Sequence, residues 1–363
     1  MRVMMLVGRA TGGIGAHVDV LTSGLRGLGI EVRILTDPST ARHFHWSDAE
    51  GVWPFRPGPQ VVRAPLDWHV VMRRAGTVDV VHAHGHQAAL VAAVAVKRAR
   101  PRPRLVVSLH NDLPPSVARG PLSAVFRWAL RHADLVTGAS ADLVDFARSA
   151  GAARTELTPV ASPRVAELLA AGPASAAVRR RLVSEVGETV PDRPLVLTIS
   201  RIAPQKDLHT LVAAARASRS DASWVVIGEG DETLRAELEK EARGIPLHFV
   251  GARDDVADWL RSAQAFVLTS RWEARALVVQ EAMAAGVPVV ATRTGGLPDL
   301  IGGAGILVPV ADPAAVAAAV DRLLEQPQLA AELGAEARRR AGEWETPATE
   351  ARRWAARYTS MLG

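Results

Sequence analysis

The stretch SRWEARALVVQEAMAAGVPVVATRTGG, residues 270–296, decides the fold of this chain. An apolar strand candidate, Ala265–Thr269, runs into it, and a helix-forming segment follows. Gly286 and Pro288 stop that helix, and the β-branched run Val287–Ala291 comes directly afterwards. The order strand, helix, strand predicts a βαβ unit in a parallel sheet.

Short β-branched runs alternate with alanine-rich helical stretches almost from end to end, which predicts an α/β protein with two open parallel sheets. The pattern lapses between Thr158 and Arg193, where four prolines stand. We therefore expect a first Rossmann-like domain over residues 1–170 and a second over 171–345. A C-terminal helix at about 346–363 could pack back on the first domain. The other strand candidates are Arg2–Val7, Glu31–Thr36, Asp79–His82, Arg104–Leu109, Asp134–Gly138, Leu195–Ser200, Trp224–Gly228, Leu247–Val250 and Gly305–Val308.

Composition excludes several classes of chemistry. The 363 residues are 48% hydrophobic and 22% charged, which is typical of a globular protein long enough for two domains. Cysteine is absent, so disulfides, thiolate metal sites and a cysteine nucleophile are excluded, and Tyr358 is the one tyrosine. The longest apolar stretch, Ala88–Val96, has nine residues, half of what a membrane span needs. We expect a cytoplasmic protein that at most rests on a membrane surface.

Charge is unevenly spread along the chain. Residues 1–184 carry 23 basic and 13 acidic side chains, whereas residues 185–363 carry 20 basic and 25 acidic ones. Such a basic half fits phosphorylated small molecules or an anionic membrane, and no basic run interleaved with aromatic residues suggests nucleic acid. The arginine-rich stretches Arg98–Arg104 and Ala118–His132 fit either a solvated helix with a core-facing stripe or a membrane-facing patch.

The first predicted strand leads into Gly12-Gly13-Ile14-Gly15 and then a helix. Glycines there let a phosphate or sugar approach the backbone, and the start of a helix favours an anion. A nicotinamide-dependent dehydrogenase, with Asp37 on a ribose, is the alternative. The glycine spacing does not match that class, and Tyr358 has no lysine four residues on.

A second loop, Ser200-Arg201-Ile202-Ala203-Pro204-Gln205-Lys206, follows the first strand of the second domain. Two cations that bracket the start of a helix oppose its dipole, so we expect an anion between Arg201 and Lys206. The alternative is a pair of solvated surface cations.

Two glutamates flank the helix of the opening stretch. Glu273 and Glu281 are eight residues apart, roughly 12 Å if helical, which suits the two ends of an extended ligand. With Glu273 before the helix and Glu281 in its third turn, both could face a cleft between the domains. The amides of Leu277 and Val278 would then point at a phosphate. The alternative is two exposed helix glutamates.

These motifs together resemble the retaining nucleotide-sugar glycosyltransferases of family 4, the superfamily of glycogen synthase and the phosphatidylinositol mannosyltransferases. The resemblance lies in Glu-x7-Glu followed by E-A-M-A-x-G-x-P-V-V-A-T-x-x-G-G, and in S-R-x-x-x-x-K upstream. In the first half it includes the Gly-Gly loop, V-H-A-H at His82 and His84, and S-L-H-N-D at His110. It implies the GT-B fold, in which two Rossmann-like domains face each other across a deep cleft.

The resemblance assigns roles in donor binding to five residues. Arg201 and Lys206 would hold the donor diphosphate, and Glu281 the ribose hydroxyls. The backbone near Val250 would bind the base. Glu273 would bind hydroxyls of the transferred sugar.

The same resemblance implies that His110 lines the reaction centre and that Gly13 brings its backbone to the phosphates or the acceptor. Family members commonly have a glycine after the first glutamate, but Ala274 and Arg275 follow Glu273 here. This departure bears on the identity of the transferred sugar.

The reaction implied is transfer of a sugar from a UDP- or GDP-linked donor to an acceptor hydroxyl with retention, in which the departing phosphate takes the acceptor proton. No cofactor or catalytic metal is expected, and His82, His84 and His86 are interpreted as polar loop residues rather than metal ligands. An inactive nucleotide-sugar-binding protein is a further alternative. The acceptor could be an envelope lipid, a thiol precursor or a natural product of a bacterium with a GC-rich genome.

Overall fold

A computed structural model describes residues 1–10, 12–55, 64–111, 120, 122–186 and 193–363. The chain forms two compact units. Unit 1 comprises Met1–Ala161 together with Glu345–Gly363, and unit 2 comprises Ser162–Trp344.

Unit 1 contains a parallel sheet of seven strands in the order β3-β2-β1-β4-β5-β6-β7. Its central strands are almost wholly buried, as their unbroken apolar runs require in a sheet covered on both faces. Two short edge strands, β3 and β7, were not predicted. The strands are β1 (Arg2–Val7), β2 (Glu31–Thr36), β3 (Glu50–Gly51), β4 (Val80–His84), β5 (Arg104–Leu109), β6 (Leu135–Gly138) and β7 (Thr155–Leu157).

Helices of unit 1 connect these strands, and the last helix of the chain joins them. That helix packs along α1, where a Cβ on Gly24 would lie 2.6 Å from the Cβ of Ala351. It buries Trp354 and Tyr358 in the core of unit 1. The helices are α1 (Gly13–Gly27), α2 (Pro38–His43), α3 (Ala64–Ala75), α4 (His86–Arg98), α5 (Ser123–Arg131), α6 (Ala141–Ser149) and, from the C-terminal segment, α16 (Pro347–Leu362).

Unit 2 contains a parallel sheet of six strands in the order β10-β9-β8-β11-β12-β13. The strands are β8 (Leu195–Ile199), β9 (Ser223–Ile227), β10 (Leu247–Phe249), β11 (Ala265–Leu268), β12 (Val289–Thr292) and β13 (Gly305–Val308). The helices are α7 (Val165–Ala170), α8 (Ala176–Glu185), α9 (Leu208–Ala217), α10 (Glu232–Glu241), α11 (Val256–Ser262), α12 (Leu277–Ala284), α13 (Leu297–Ile301), α14 (Pro313–Glu325) and α15 (Pro327–Ala341).

The chain passes from unit 1 to unit 2 after Ala161, before the boundary at residue 170 that the proline-rich stretch suggests. Helix α7 lies in unit 2 because Arg338 of α15 holds its C-terminal end. The guanidinium of Arg338 donates to the carbonyl oxygens of Leu168, Leu169 and Ala171 at 2.5–3.1 Å.

Each sheet has one point where the strand order reverses, between β1 and β4 in unit 1 and between β8 and β11 in unit 2. Ligands of open parallel sheets bind at the carboxyl ends of the strands beside such a point. The predicted site residues of each unit follow these ends. In the described part of the chain, no helix is long and apolar enough to cross a membrane.

Candidate active site

Three imidazoles meet at the carboxyl ends of the central strands of unit 1. His84 ends β4, His110 follows β5, and His17 reaches them from α1. The Nδ1 of His84 lies 3.0 Å from the Nε2 of His110, and the ring of His17 lies 5.2 Å from that of His110. These three residues form what we call the imidazole cluster. It borders a cavity of about 150 Å³ that His84 and His110 line.

Burial sets the protonation of this cluster. It lowers the pKa of His110 to about 4, and it holds the pKa values of His17 and His84 well below the usual 6.5. Repulsion among the rings lowers the pKa values of His17 and His84 further. All three imidazoles are therefore neutral at pH 7, and each can donate one hydrogen bond and accept another.

The grouping of the histidines differs from the His-x-His-x-His pattern of the sequence. His82 is turned to the interior, where its Nδ1 contacts the hydroxyl of Tyr358 and its Nε2 that of Ser108, both at 2.7 Å. Among the described residues, His17, His84 and His110 have ligand atoms within 4.8 Å of one another, close enough to approach a common ion. Neighbours in the sequence therefore do not define the cluster.

The Gly-Gly loop begins α1 without a side-chain cap. Gly12 is the N-cap residue, the exposed Gly13 is the first helical residue, and no acidic residue stands in the first turn. The start of α1 is thus open to an anion, as the sequence suggests. Gly15 has a different reason to be glycine, because a Cβ there would lie 2.0 Å from the ring of Phe44.

In unit 2, the loop after β8 presents its two cations differently. Arg201 is exposed, and within the described residues no carboxylate pairs with it. Lys206 ends a short 3-10 turn, and its Nζ lies 2.5 Å from Oε1 of Glu273. The structure thus brings Lys206 and Glu273 together as a nearly buried ion pair and leaves Arg201 to meet an external anion.

Glu273 is held on several sides. Its Oε1 also accepts a hydrogen bond from the hydroxyl of Ser270 at 2.6 Å, and its carbonyl oxygen accepts one from the amide of Gly296 at 2.8 Å. Gly295 has a φ of +50°, and a Cβ there would lie 2.0 Å from the carbonyl oxygen of Glu273. The Gly-Gly turn at 295–296 therefore positions Glu273.

The position of helix α12 changes the spacing of the two glutamates that the sequence suggests. The helix begins at Leu277, so Glu281 lies in its second turn, not its third, and the 12 Å estimate for a continuous helix does not apply. Ala276 caps the helix without a side-chain bond, and the first turn, with Leu277 and Val278, has no acidic residue. The start of α12 can therefore receive a phosphate on its amides.

Glu281 is buried, with 3% of its surface exposed. Its Oε1 accepts a hydrogen bond from the Ser162 hydroxyl at 2.7 Å, and its Oε2 lies 3.7 Å from Arg164. Burial raises the pKa of Glu281 above its usual value, against the opposing effects of Ser162 and Arg164. Since Glu273 is also only 8% exposed, the alternative of two exposed helix glutamates is wrong.

The loop after β9 packs against residues 200–202, and the loop after β10 packs on the loop after β9 through a hydrogen bond from the amide of Gly228 to the carbonyl of Gly251. The amide of Val250 donates to the carbonyl of Val226 at 3.0 Å, and Val250 lines a cavity of about 450 Å³. Gly228 and Gly230 are needed for packing, because a Cβ on either would lie about 2 Å from a carbonyl oxygen of residues 200–202.

Three residues of the site, Ser162, Arg164 and Ser270, are not indicated by the sequence motifs. Ser162 and Arg164 lie in the proline-containing stretch where the alternation of strands and helices lapses, and over a hundred positions separate them from Glu281. Ser270 is the first residue of the 270–296 stretch, but an uncharged hydroxyl there does not by itself indicate a contact with Glu273.

Two protein-family models match the chain. Glycosyltransferase Family 4 matches residues 11–160, and Glycosyl transferases group 1 matches residues 193–326. The chain is 29% identical over 292 residues to the sulfoquinovosyl transferase SQD2 of Arabidopsis thaliana, covering 76% of this chain and 56% of the relative, so it spans about half of that relative. It is 28% identical to the glycogen synthase of Mycobacterium tuberculosis, with 93% of this chain and 89% of the relative covered.

Among solved structures, Anabaena Alr3699/HepE in complex with UDP and glucose superimposes with a TM-score of 0.84 at 22% identity, covering 99% of this chain and 100% of that one. The two sheets and these comparisons define a glycosyltransferase with the GT-B fold. Within that class, the chain belongs to the family 4 glycosyltransferases, which confirms the family and fold expected from the motifs.

Proposed function

We propose that this glycosyltransferase transfers a sugar from a UDP- or GDP-linked donor to an acceptor hydroxyl with retention of the anomeric configuration. The observation that carries the proposal is the ion pair of Lys206 with Glu273, held by Ser270 and the 295–296 turn just before an uncapped helix. A nearly buried ion pair is costly to assemble. A ligand with both hydroxyls and phosphates can bind both members of the pair, because its hydroxyls donate to the carboxylate of Glu273 and its phosphates accept from the ammonium of Lys206.

Unit 2 supplies the proposed donor site. The amides at the start of α12 and the exposed guanidinium of Arg201 would bind the diphosphate, with Lys206 beside them. Glu281 would bind the ribose, because its Oε2 accepts no hydrogen bond from the described residues. The backbone near Val250 would bind the base, and Glu273 the hydroxyls of the sugar.

The mechanism follows from where charge develops. As the bond from sugar to phosphate breaks, negative charge grows on the distal phosphate, and Arg201, Lys206 and the helix amides would stabilise it. The acceptor hydroxyl would attack on the face that the phosphate leaves, and the phosphate would take its proton. His110 would contact the sugar through a neutral imidazole, which adds a hydrogen bond without placing a positive charge beside an oxocarbenium-like centre.

Turnover of nucleotide sugars tests the proposal. Incubation with UDP- and GDP-linked hexoses should give slow donor hydrolysis, measured as released nucleoside diphosphate. Lys206→Met should lower this rate at least about a hundredfold, because it leaves Glu273 buried and unpaired. The exposed Lys240 of α10 offers a matched control, and Lys240→Met should keep the rate of the unmodified enzyme.

Two results would contradict the proposal. Binding of a nucleoside diphosphate without hydrolysis or transfer for any donor would favour an inactive binding protein. A β-linked product from an α-linked donor, seen in the anomeric proton signals of the product, would overturn retention while leaving glycosyl transfer in place.

For localisation, we propose cytoplasmic residence with peripheral contact to anionic lipid through α5. Leu122 and Val125 at its start are 48% and 50% exposed. Arg127 and Arg131 each donate to a carbonyl oxygen at the end of α6, so part of their charge is used within unit 1. Flotation with phosphatidylglycerol vesicles at low salt tests this contact, and protein left at the bottom of the gradient would remove it.

A further inference from the structure

The N-terminal ends of two helices lie at the cavity of unit 1 and make the electrostatic potential there more positive. The cavity lining includes Ile14 in the first turn of α1 and His86, Gln87 and Ala88 at the start of α4. Helix α4 has Gly85 as its N-cap residue, no side-chain cap and no acidic residue in its first turn, and α1 shares these properties. Both helices exceed ten residues, so each directs a full dipole at the cavity.

Arg9 adds a full charge to the same cavity. It lies two residues after the end of β1, it is exposed, and no carboxylate of the described residues pairs with it. Other arginines of unit 1 do have such partners, as Arg33 has in Glu31 and Arg104 in Asp134. Among the described residues that line the cavity, none is acidic.

The backbone around Arg9 is fixed by Thr40 of α2. The hydroxyl of Thr40 accepts a hydrogen bond from the amide of Ala10 at 2.8 Å and lies 3.4 Å from the carbonyl oxygen of Gly8. Arg9 is therefore presented at the cavity by an ordered loop rather than by a free surface segment.

A buried polar atom without a partner points to the missing ligand. His84 is 2% exposed and lines the cavity, yet its Nε2 has no hydrogen-bond partner among the described residues. When His110 donates to the Nδ1 of His84, this Nε2 carries a proton that nothing accepts. A buried donor in that state is costly, and an oxygen of a ligand would satisfy it.

We propose that this cavity binds the anionic group, a phosphate or a carboxylate, of the acceptor. The inference rests on the proposed function, because the acceptor is the second substrate of that reaction. The diphosphate of the donor has its own candidate groups in unit 2, at Arg201 and the start of α12. A cavity of about 150 Å³ suits one small anion and a few waters, not a nucleoside diphosphate.

Inorganic phosphate is the probe for a first experiment. Histidine side-chain NMR should show signals of His84 and His110 that shift with phosphate while the protein is saturated with UDP or GDP, whichever binds. Arg9→Gln should weaken phosphate about tenfold or more, as expected for a lost charge-assisted hydrogen bond. Arg98→Gln, at the exposed far end of α4, is the matched control and should leave phosphate affinity unchanged.

Three outcomes would overturn the inference. Displacement of phosphate by the nucleoside diphosphate would assign the cavity to the donor. Histidine signals that do not move with phosphate would leave no anion site. Equal phosphate affinities in Arg9→Gln and the unmodified protein would show an adventitious ion only.

A second experiment uses pairs of acceptors, each a phosphorylated or carboxylated sugar or cyclitol beside its neutral counterpart. Transfer should favour the charged member, and Arg9→Gln should raise the KM of the charged member about tenfold while the KM of the neutral member changes little. Preference for the neutral member would overturn the inference. If no donor is hydrolysed at all while phosphate binding still depends on Arg9, the proposed function fails and the anion site stands.

Discussion

At the scale of single residues, the site depends on contacts between positions far apart in the sequence. Lys206 and Glu273 are each identifiable from their motifs, but their pairing across 67 positions is not. The motifs predict which residues belong to the site, because few residue types can bind a phosphate or a sugar hydroxyl. They could not predict which charges are neutralised within the protein, since that depends on how loops from different strands meet.

Gly295 gives a prediction at this scale. Gly295→Ala must move the carbonyl of Glu273, which a Cβ would approach to 2.0 Å, in a backbone conformation that alanine adopts poorly. Donor hydrolysis should fall at least about tenfold, since small displacements of a positioned group are costly. The free energy of unfolding should fall by about 1–3 kcal/mol.

The rate of donor hydrolysis and the urea midpoint measure these two effects. Gly172→Ala is the control, because a Cβ there meets nothing within 4 Å. Unchanged hydrolysis would show that the turn does not position Glu273.

The buried imidazoles predict how stability depends on pH. The pKa of His110 is about 4 in the folded protein and about 6.5 when unfolded, so its stabilising contribution is lost as the pH falls from 6.5 toward 4. His17, His82 and His84 act in the same direction. Glu350 opposes them, because burial raises its pKa to about 7, and its contribution is lost as the pH rises from 4.5 through 7.

Glu281, with a pKa that burial also raises, opposes the histidines as Glu350 does. Four imidazoles outweigh these two carboxyl groups, so the free energy of unfolding should rise by at least about 1.4 kcal/mol between pH 5 and pH 6. Urea unfolding at the two pH values measures this change. Glu350→Gln removes one of the two opposing groups and should make the rise steeper. A free energy that falls over this interval would contradict the protonation states derived for the cluster.

At the scale of elements, a chain of buried hydrogen bonds ties α16 to three strands. The hydroxyl of Tyr358 contacts His82 on β4, His82 contacts Ser108 on β5, and Ser108 contacts Thr137 on β6, each at 2.7 Å. Parallel strands and their order follow from the alternation of apolar runs and helices. This polar chain does not, because nothing in the sequence near Tyr358 indicates which strand it meets. The short edge strands β3 and β7 were missed since two or three residues carry no periodicity.

Tyr358→Phe tests the chain of hydrogen bonds. The variant keeps the ring and leaves the Nδ1 of His82 buried without its partner, so the free energy of unfolding should fall by about 1–3 kcal/mol. Ser360→Ala, on the exposed side of the same helix, should leave stability unchanged within about 0.5 kcal/mol. Equal urea midpoints for Tyr358→Phe and the unmodified protein would show that the bond contributes nothing net.

At the scale of the whole molecule, the two units are built from three stretches of chain. Unit 2 is one continuous stretch, whereas unit 1 needs both Met1–Ala161 and Glu345–Gly363. The sequence predicts a C-terminal helix that could pack back on the first domain. The composition of this helix does not show how many of its side chains are buried in the core of unit 1. Trp354 and Tyr358 are among the largest fully buried side chains of the protein.

Removal of residues 345–363 should therefore affect one unit. Unit 1 would lose the helix that covers α1 and should unfold at a lower temperature or be cleaved by protease, while unit 2 keeps its core. Calorimetry should then show two separated transitions, and proteolysis should leave a fragment near residues 162–344. A single transition at the temperature of the intact protein would contradict this division.

The insertion of unit 2 between the two stretches of unit 1 also affects the order in which the units can fold during synthesis. Every strand of the inserted unit has left the ribosome before the helix that closes the first unit is made, so the unit encoded second can finish folding first. Until then the apolar side of α1 that the last helix covers stays exposed to water, and such exposed surface favours misassembly of a nascent chain.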